Sequence, residues 1–584
     1  MTVTLLIVLV AAKAMALAGH HVPLSVWTPV AWLWQDAAIV LVFAVLETST
    51  ARAADTAERN RSAIAITGRV AVRFLYITLV LYVAANVPVT RVLSTPLTWR
   101  MWRAAGGPLA DSIRRYVTWS NVALIAAIIG VAGFAPRRLR TVPRVPLLAV
   151  LAAIVALGPA AARRVDTHGL DRNAWTALAA TALPRLAARG DVLFAEPARR
   201  GDRAGLASLP DDGLDRLRAS AARRNIVLIG LESTAAQYLG LYGASPDIAP
   251  NLSHLARNAI VFDAAYAVYP ESIKGLFSIL CSAYPAYDTD ADSYANAPCS
   301  SLAAVLASRG YRTALFHSGR FGYLGMDAIV RNRGYNLLAD AGDMSGARYS
   351  SFGVDEPSTV ARILAWIDAL PRGGPFFITY LPIAGHHPYD TSARGPFSED
   401  DEFGRYRNAV HEGDASLGTL VRGLRARGLD RTTVWIVFGD HGEAFGQHDG
   451  NHGHTFQLFE ENIHVPLVIA ASGVTAGQER SRRVASLIDV APTILDLIGA
   501  PAPRDYEGRS LLTNDPRMAF FFTDYALGLL GLRDGHFKFI SEVESGRSTL
   551  FDVAADPLER TDVSSIYSER VETYGRMVRL VVGR

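Results

Sequence analysis

The sequence predicts a transmembrane region of five helices, followed by an α/β domain whose mainly parallel sheet is sandwiched by helices. Half of the 584 residues are hydrophobic and only 19% are charged, against roughly 25% in a typical soluble domain. The long apolar stretches lie in the first 162 residues, whereas short apolar strands alternate with helical patterns beyond Arg223. This composition excludes a wholly soluble protein, an intrinsically disordered chain and a coiled coil.

The charge balance and the cysteine count exclude two further classes of protein. Lys and Arg number 58 and Asp and Glu 55, so a net charge of +3 gives no strong attraction to nucleic acid. Two cysteines, Cys281 and Cys299, are too few for a disulfide-dense scaffold or a cysteine-rich metal site. In an oxidising compartment we favour a disulfide between them over two free buried thiols.

Each of the five apolar stretches has about 17 to 20 residues, near the length at which a helix crosses the hydrocarbon core. They are Thr2–Ala18, Val30–Leu46, Val70–Val89, Trp119–Ala135 and Pro146–Ala162. The first is alternatively a signal peptide, since Ala16-Leu17-Ala18 resembles a cleavage site. We favour a span, because its first residues carry no Lys or Arg and Lys13 interrupts the apolar run.

The arginines predict the orientation of this region. They cluster between the second and third stretches and between the fourth and fifth, which places those loops and the amino terminus in the cytoplasm. Residues 223–584 then form an extracytoplasmic domain. Residues 163–222 are a helical connector that lies on the membrane surface or packs on that domain. For Lys13 and Arg73, polar residues within the spans, we favour snorkelling or helix–helix contact.

The domain after Arg223 has the alternating pattern of a doubly covered parallel sheet. The predicted strands are Asn225–Gly230, Thr313–Phe316, Phe376–Leu381, Val434–Phe438 and Val465–Ala470. The predicted helices are Pro250–Asn258, Ser301–Arg309, Thr359–Leu370 and Asp414–Arg427. In such sheets the loops beyond the carboxyl ends of the strands hold the active site, and the polar clusters of this sequence fall there.

The strongest chemical signal is the segment Phe438-Gly-Asp-His-Gly-Glu443, which follows an apolar strand. Asp440 and His441, on a turn flanked by glycines, can offer a carboxylate oxygen and an imidazole nitrogen to one cation. The alternative is an ordinary capped turn. Glu232 follows another strand in the same way, although helix amino termini also favour glutamate.

A serine and several histidines occupy comparable positions. Ser272 stands at a predicted helix start, where a serine is more often a helix cap than a nucleophile. The cap is compatible with a functional role, because a helix amino terminus also favours a bound oxyanion. His317, His386 and His454 lie in loops after strands. Each histidine alone is weak support for function, but their grouping beside Asp440 and His441 predicts an active site.

Together these segments resemble the sulfatase-like branch of the alkaline phosphatase superfamily over most of Arg223–Arg584. The resemblance rests on Asn225–Glu232, Ala249-Pro-Asn-Leu252, the Ser272 segment, His386-His-Pro388, Gly439-Asp-His-Gly442 and Val465-Pro-Leu-Val-Ile469. The ending, with Gly535-His-Phe-Lys-Phe539 and Asp556-Pro-Leu-Glu559, is similar to the small carboxyl-terminal subdomain of that family. With five spans in front, the chain resembles lipoteichoic acid synthases, other membrane phosphoglycerol transferases and phosphoethanolamine transferases.

The resemblance implies roles for individual residues. Glu232, Ser272, Asp440 and His441 would bind one divalent metal ion, Mn²⁺ or Zn²⁺, and Ser272 is the nucleophile. His386 and His454 would act in catalysis, and His317 would contact substrate.

Two departures from the family patterns bear on the reaction. Lys274 and Leu276 stand where the sulfatase motif Cys-x-Pro-Ser-Arg has its proline and arginine, which argues against a formylglycine. The Trp-x-Arg pattern of lipoteichoic acid synthases is missing after His317, so Lys274 or Arg320 would supply positive charge to the substrate.

The sequence thus predicts a bacterial cytoplasmic-membrane transferase with its catalytic domain in the periplasm or outside the cell. It would take a phospho-alcohol group from a membrane lipid donor to a glycan, lipid or polymer acceptor, with no nucleic acid partner. One alternative is a sulfatase-like phosphodiesterase or sulfuric ester hydrolase that uses water. Another, from a different class, is a non-catalytic membrane binding protein that kept the fold.

Overall fold

The computed structural model describes residues 1–57, 63–104, 113–114, 116–134, 143–182, 212–346, 352–371, 373–526 and 528–582. The chain divides into two compact units. The first comprises Met1–Leu186 with the segments Gly446–His452 and Val543–Arg547. The second comprises Ala187–Phe445, Gly453–Glu542 and Ser548–Arg584.

The first unit is helical. Its helices are α1 (Thr2–Leu17), α2 (Thr28–Ala57), α3 (Ala63–Leu93), α4 (Trp99–Ala104), α5 (Trp119–Phe134), α6 (Arg144–Ala162) and α7 (Ala174–Ala182). An apolar helix therefore overlaps each of the five predicted stretches. Within the described residues, three of them are long and apolar enough to cross a membrane, over Thr28–Arg52, Ile66–Leu93 and Val145–Ala162. Helices α1 and α5 have 16 residues each and are shorter than a full span.

Lys13, near the end of α1, makes a contact between helices instead of snorkelling. Its side chain is 8% exposed, and its ammonium lies 3.4 Å from the carboxylate of Asp36 on α2. The same ammonium donates a hydrogen bond of 2.8 Å to the carbonyl of Asp171. Asn173 donates to the other carboxylate oxygen of Asp36 at 2.6 Å. The start of the predicted connector is thereby bound to the bundle, whereas its residues 183–211 lie outside the described residues.

The second unit contains the predicted α/β domain. The remaining helices are α8 (Pro250–Leu255), α9 (Ser272–Cys281), α10 (Leu302–Ser308), α11 (Met326–Val330), α12 (Glu356–Asp368), α13 (Glu402–Ala426), α14 (Glu460–Ile463), α15 (Val490–Leu497) and α16 (Ser568–Val582). The first eleven described strands, in chain order, are β1 (Asn225–Leu231), β2 (Ala259–Tyr266), β3 (Arg312–His317), β4 (Leu337–Ala339), β5 (Phe376–Leu381), β6 (Thr433–Gly439), β7 (Ala444–Phe445), β8 (His452–Gly453), β9 (His464–Val465), β10 (Leu467–Ala471) and β11 (Glu479–Ser486).

The main sheet has the strand order β11-β2-β10-β6-β1-β5-β3-β4, with β9 paired to β2. The strands β6, β1, β5, β3 and β4 are parallel to one another. Strand β10 is antiparallel to both β2 and β6. The sheet is therefore mainly parallel, as predicted, although strands β2, β4 and β11 were not predicted.

The sheet is buried on both faces. Along β1, Ile226 and Leu228 join one hydrophobic cluster, whereas Val227 and Ile229 join the cluster on the opposite face. Successive side chains of a strand point to opposite faces, so this division shows that helices cover both. This explains why β1 is an unbroken apolar run.

The carboxyl-terminal subdomain is a second, antiparallel sheet. It consists of β12 (Ala519–Thr523), β13 (Leu529–Asp534), β14 (Phe537–Glu542) and β15 (Ser548–Asp552) in that spatial order. Helix α16 packs on it through Tyr574 and Val578, which share a hydrophobic cluster with Leu532 and Phe539. The small subdomain expected from the resemblance is thus present.

Candidate active site

Two carboxylates lie side by side at the carboxyl edge of the main sheet. The parallel strands β1 and β6 are in register, with Leu231 beside Gly439. Glu232 and Asp440 are the next residues of the two strands, so the register places them together. The backbone N–H of Asp440 donates to the carbonyl of Leu231 at 3.1 Å, and the N–H of Ser233 donates to the Asp440 carboxylate at 3.1 Å.

Glycines let the backbone approach closely at this turn. A Cβ atom on Gly439 would lie 2.2 Å from the carbonyl oxygen of Thr234. A Cβ atom on Gly442 would lie 2.1 Å from the carbonyl oxygen of Glu461. Neither position has room for a side chain, so the two glycines that flank Asp440 and His441 fix the path of this loop.

Ser272 begins helix α9, but it is not the helix cap. The residue before it, Glu271, caps the helix, because its carboxylate accepts a hydrogen bond of 3.2 Å from the backbone N–H of Lys274. The capping interpretation of Ser272 is therefore wrong. Its hydroxyl instead faces the sheet edge, at the helix amino terminus that favours bound anions.

The Ser272 hydroxyl contacts three potential metal ligands. Its Oγ atom lies 2.7 Å from Oδ2 of Asp440, 3.1 Å from Oε2 of Glu232 and 3.2 Å from Nε2 of His441. One ligand atom from each of Glu232, Asp440 and His441 lies within 4.8 Å of the others, and all three side chains are buried. The structure thus brings together the four residues predicted to hold a metal ion.

This donor set fits a divalent cation. His441 donates Nδ1–H to the carbonyl of Gly442 at 2.9 Å, so Nε2 keeps the lone pair that a metal ligand needs. Burial lowers the pKa of His441 and so favours the neutral ligand form, although the charge of Asp440 opposes this. Burial, followed by the negative charge of Asp440, raises the pKa of Glu232 well above its ordinary value. A cation held between the two carboxylates would relieve that repulsion.

His317 and His386 follow the neighbouring strands β3 and β5. His317 is buried, and its Nδ1 lies 3.0 Å from the carbonyl oxygen of Leu381. His386 is partly buried, with its ring 4.3 Å from that of Phe352 and 5.9 Å from that of Tyr323. Burial lowers the pKa of His386 to about 4. Both histidines thus lie at the carboxyl ends of their strands, as predicted.

Glu356, a residue not predicted from the sequence, holds the loop that contains His386. The buried carboxylate of Glu356 accepts hydrogen bonds from the N–H groups of Ile383 at 2.7 Å and Ala384 at 3.0 Å. It also accepts from the hydroxyls of Ser318 and Tyr380. Glu356 therefore anchors the segment between β5 and His386. In the sequence it is only an acidic residue at a helix start.

A second missed residue, Glu443, contacts His454. Its Oε2 atom lies 2.6 Å from Nδ1 of His454, whose ring stacks on that of His441 with centroids 4.1 Å apart. Burial is the largest effect on the pKa of His454 and lowers it. The charge and hydrogen bond of Glu443, with the charges of Glu232 and Asp440, outweigh burial and raise that pKa to about 9.

The two cations predicted to bind substrate differ in their surroundings. Lys274 is buried, and its ammonium lies 2.9 Å from Oδ2 of Asp524 in the loop after β12. Asp524 also accepts a hydrogen bond of 2.7 Å from the hydroxyl of Tyr269. Arg320, by contrast, is exposed. The charge of Lys274 is thus neutralised within the protein, which leaves Arg320 as the more accessible of the two.

Cys281, the last residue of α9, forms the predicted disulfide with Cys299. The bridge ties the helix that begins with Ser272 to the chain 18 residues further on.

Comparisons with known proteins agree with this geometry. Residues 224–500 match the family model described as Sulfatase. The chain is similar to arylsulfatase K of Bos taurus, with 28% identity over 237 residues, 36% of this chain and 43% of that protein. It is also similar to the lipoteichoic acid synthase-like YvgJ of Bacillus subtilis (strain 168), with 23% identity over 373 residues, 60% of this chain and 58% of that protein. The chain thus spans about half the length of the curated relatives it matches.

Solved structures share the fold. The lipoteichoic acid synthase LtaP from Listeria monocytogenes aligns with a TM-score of 0.54 and 17% identity, covering 65% of this chain and 97% of that one. A protein in the alkaline phosphatase superfamily from Vibrio parahaemolyticus aligns with a TM-score of 0.52 and 21% identity, covering 63% and 94%. Residues 224–500 of this chain therefore match the Sulfatase family model, and the chain shares its fold with these solved structures.

Proposed function

We propose that the protein is a membrane-anchored, metal-dependent transferase that moves a phospho-alcohol group from a lipid donor to an envelope acceptor. The group is of the phosphoglycerol or phosphoethanolamine type, and it passes through a covalent Ser272 intermediate. The observation that carries the proposal is the placement of the Ser272 hydroxyl within 3.2 Å of Asp440, Glu232 and His441. The similarity to a lipoteichoic acid synthase-like protein supports the choice of group.

The metal site would consist of Glu232, Asp440, His441 and the Ser272 oxygen. Carboxylate and imidazole ligands suit Zn²⁺ and Mn²⁺. When bound, such an ion acts as a Lewis acid, which lowers the pKa of the serine hydroxyl and offsets negative charge on the phosphoryl oxygens.

In the first half-reaction Ser272 is the nucleophile. Its hydroxyl donates toward Oδ2 of Asp440, and that carboxylate would take the hydroxyl proton as the serine oxygen forms the new bond to phosphorus. The bond from phosphorus to the donor's alcohol oxygen breaks, and that oxygen takes a proton from His386 or His454. Arg320 and the amino terminus of α9 would hold the phosphoryl oxygens.

The second half-reaction reverses these roles. A hydroxyl of the acceptor attacks phosphorus and gives its proton to the histidine that was deprotonated in the first step. The bond from phosphorus to the Ser272 oxygen breaks, and that oxygen takes its proton back from Asp440. The product carries the phospho-alcohol group on a glycan, a lipid or a growing polymer.

The apolar helices of the first unit support a membrane-borne donor. Three of the described helices are long and apolar enough to cross a bilayer. In this proposal they anchor the protein in the bacterial cytoplasmic membrane, with the catalytic domain in the periplasm or outside the cell. A tethered active site would meet lipid head groups at a high local concentration.

A hydrolase is the second candidate, because the chain is also similar to arylsulfatase K. Water would then take the place of the acceptor hydroxyl in the second half-reaction. The segment Ser272-Ile-Lys-Gly-Leu276 departs from the Cys-x-Pro-Ser-Arg motif of sulfatases, which argues against a sulfuric ester substrate.

Product analysis separates the two candidates. The purified full-length protein in detergent is loaded with Mn²⁺ or Zn²⁺ and given a mixture of phosphatidylglycerol and phosphatidylethanolamine, with and without a glycolipid acceptor. A transferase yields diacylglycerol together with a modified acceptor. A hydrolase yields free glycerol phosphate or phosphoethanolamine whether or not the acceptor is present. Turnover that persists in Ser272→Ala, or no turnover in either condition, would contradict the proposal.

A further inference from the structure

The carboxylate of Glu443 contacts two side chains, one at each of its oxygen atoms. Oε1 accepts a hydrogen bond of 2.8 Å from the hydroxyl of Tyr389, and Oε2 lies 2.6 Å from Nδ1 of His454. The Glu443 side chain is 3% exposed, whereas that of His454 is 21% exposed. A buried carboxylate therefore holds a histidine whose side chain is partly exposed.

The ring of His454 lies directly beside the metal ligands. It stacks on the ring of His441, and Nε2 of His441 is 3.2 Å from the Ser272 oxygen. Among the residues that the structure describes, Nε2 of His454 has no hydrogen-bond partner, because Nδ1 makes the contact with Glu443. Nε2 is therefore the ring nitrogen presented to a substrate.

We propose that Glu443 is a positioning residue that fixes the ring of His454 so that Nε2 delivers the proton to the leaving alcohol oxygen. The inference rests on the proposed function, and it selects His454 over His386 as the proton donor. An ionised carboxylate can only accept hydrogen bonds, so it keeps the His454 proton on Nδ1 and fixes the orientation of the ring.

His386 is held in a different way. Its Nδ1 lies 2.7 Å from the carbonyl oxygen of the next residue, His387, and its ring packs against Phe352 and Tyr323. His454, by contrast, is held by the side chain of Glu443, and its ring stacks on that of His441 next to the Ser272 oxygen. The contacts therefore place His454, and not His386, beside the nucleophile.

His454 loses one proton in the first half-reaction and regains one in the second. As the bond from phosphorus to the donor's alcohol oxygen breaks, the proton on Nε2 moves to that oxygen and His454 becomes neutral. The acceptor hydroxyl later returns a proton to Nε2 as its oxygen bonds to phosphorus. Glu443 keeps its charge throughout and holds Nδ1–H.

The test compares two phosphodiesters that carry the same phosphoglycerol group. One has 4-nitrophenol as leaving group, which departs without a proton, and the other has a simple primary alcohol, which needs one. In Glu443→Gln, a change that preserves size, we expect kcat on the alkyl ester to fall by roughly 10²-fold. The kcat for the aryl ester should fall much less. The KM of both esters should stay near the wild-type value.

Two tyrosines provide matched variants. Tyr389→Phe removes the hydroxyl on the Glu443 carboxylate and should lower kcat for the alkyl ester selectively, though less than Glu443→Gln. Tyr238→Phe removes a hydroxyl that binds the backbone carbonyl of Glu443 at 2.6 Å, and it should not change the ratio of the two rates. Equal losses on both esters in Glu443→Gln would overturn the proposal. A lower metal content of Glu443→Gln, measured by elemental mass spectrometry, would also overturn the proposal, because Glu443 would then be a metal ligand.

A measurement independent of turnover separates this inference from the proposed function. In the metal-loaded protein with ¹⁵N-labelled histidine, a hydrogen bond to a carboxylate shifts the Nδ1 proton of His454 downfield. We expect that signal in the wild type and in Ser272→Ala, and its loss in Glu443→Gln. Its absence from the wild type, or its persistence unchanged in Glu443→Gln, would overturn the assignment even if the protein transfers no phospholipid group.

Discussion

The Oγ atom of Ser272 lies 2.7 Å from Oδ2 of Asp440, a residue 168 positions further along the chain. This contact joins the amino terminus of a helix to the carboxyl end of a central strand. A hydroxyl placed in this way is close to metal ligands and to the partial positive charge of a helix end. Both features favour a serine oxygen that attacks a phosphoryl group, and they link the fold directly to the proposed chemistry.

Removing the charge of Glu232 should weaken the stabilisation of the protein by metal. A metal ion that binds only the folded protein raises its free energy of unfolding by about 2.7 kcal/mol at 100 times Kd. Glu232→Gln removes one ligand, so thermal unfolding in detergent should respond weakly to Mn²⁺ or Zn²⁺. Without metal the variant should be no less stable than the wild type, because it loses a buried like-charge repulsion.

The control for this experiment is Glu399→Gln, which changes an exposed carboxylate of the same unit. It should keep the full metal response. A response in Glu232→Gln as large as in the wild type would show that Glu232 is not a ligand.

Breaking the pair between Lys274 and Asp524 should destabilise the second unit. Lys274→Met leaves the buried carboxylate of Asp524 without its cation, which typically costs about 3–5 kcal/mol. The double variant Lys274→Met with Asp524→Leu should recover most of that loss, since neither charge remains. Thermal unfolding followed by fluorescence measures both effects. A double variant as unstable as the single one would contradict the ion-pair account.

The same double variant tests whether Lys274 binds substrate. If the charge of Lys274 only balances that of Asp524, the KM of the double variant for the phospholipid donor should match that of the wild type. Arg320→Ala, by contrast, should raise KM. A raised KM in the double variant would restore Lys274 as a substrate ligand.

Much of this site was predictable because its residues directly follow apolar strands. The runs that became β1 and β6 locate Glu232 and Asp440, and parallel neighbours bring their carboxyl ends together. Glycines on both sides of Asp440 and His441 marked the turn. The role of Ser272 was ambiguous in the sequence, because a serine at a helix start is more often a cap, and the structure assigns the cap to Glu271.

The missed residues are those whose partners depend on tertiary structure. Glu443 and His454 are 11 residues apart in the sequence, and Lys274 and Asp524 are 250 residues apart, so both contacts form only in the folded chain. Neither pairing has a local periodic signal. Strand β2 was missed for a related reason, since its sequence Ala259–Tyr266 directly follows the turn that ends a helical pattern.

Removing the disulfide should loosen the helix that begins with Ser272. Cys281 and Cys299 enclose a loop whose closure contributes about 3 kcal/mol in the chain-entropy model. The double variant Cys281→Ala with Cys299→Ala should therefore unfold at a lower temperature than the oxidised wild type. Reduction of the wild type should give a similar decrease. Equal unfolding temperatures with and without reductant would show that the bridge contributes little.

The buried carboxylate of Glu559 should make stability depend on pH. Its Oε1 atom lies 2.8 Å from Nζ of the buried Lys538. Burial raises the pKa of Glu559 from 4.5 to about 7; Lys538 opposes this increase and Glu460 adds to it. The folded protein therefore binds this proton more tightly than the unfolded chain. The resulting stability is fully present below pH 4.5 and is lost as pH rises to about 7.

Glu559→Gln should remove this dependence. The unfolding temperature of the variant, relative to the wild type, should increase between pH 4.5 and pH 7. Glu569→Gln, which changes an exposed residue of α16, should follow the wild type. A constant difference between Glu559→Gln and the wild type across this range would contradict the assignment.

The most direct test of covalent transfer is the intact mass of the full-length, metal-loaded protein after exposure to a mixed phospholipid extract. We expect a wild-type adduct whose mass increment equals phosphoglycerol or phosphoethanolamine, and no adduct in Ser272→Ala. An increment of bare phosphate would identify a different transferred group. No adduct and no lipid turnover, despite a bound metal ion, would contradict the transferase and favour a hydrolase of soluble esters.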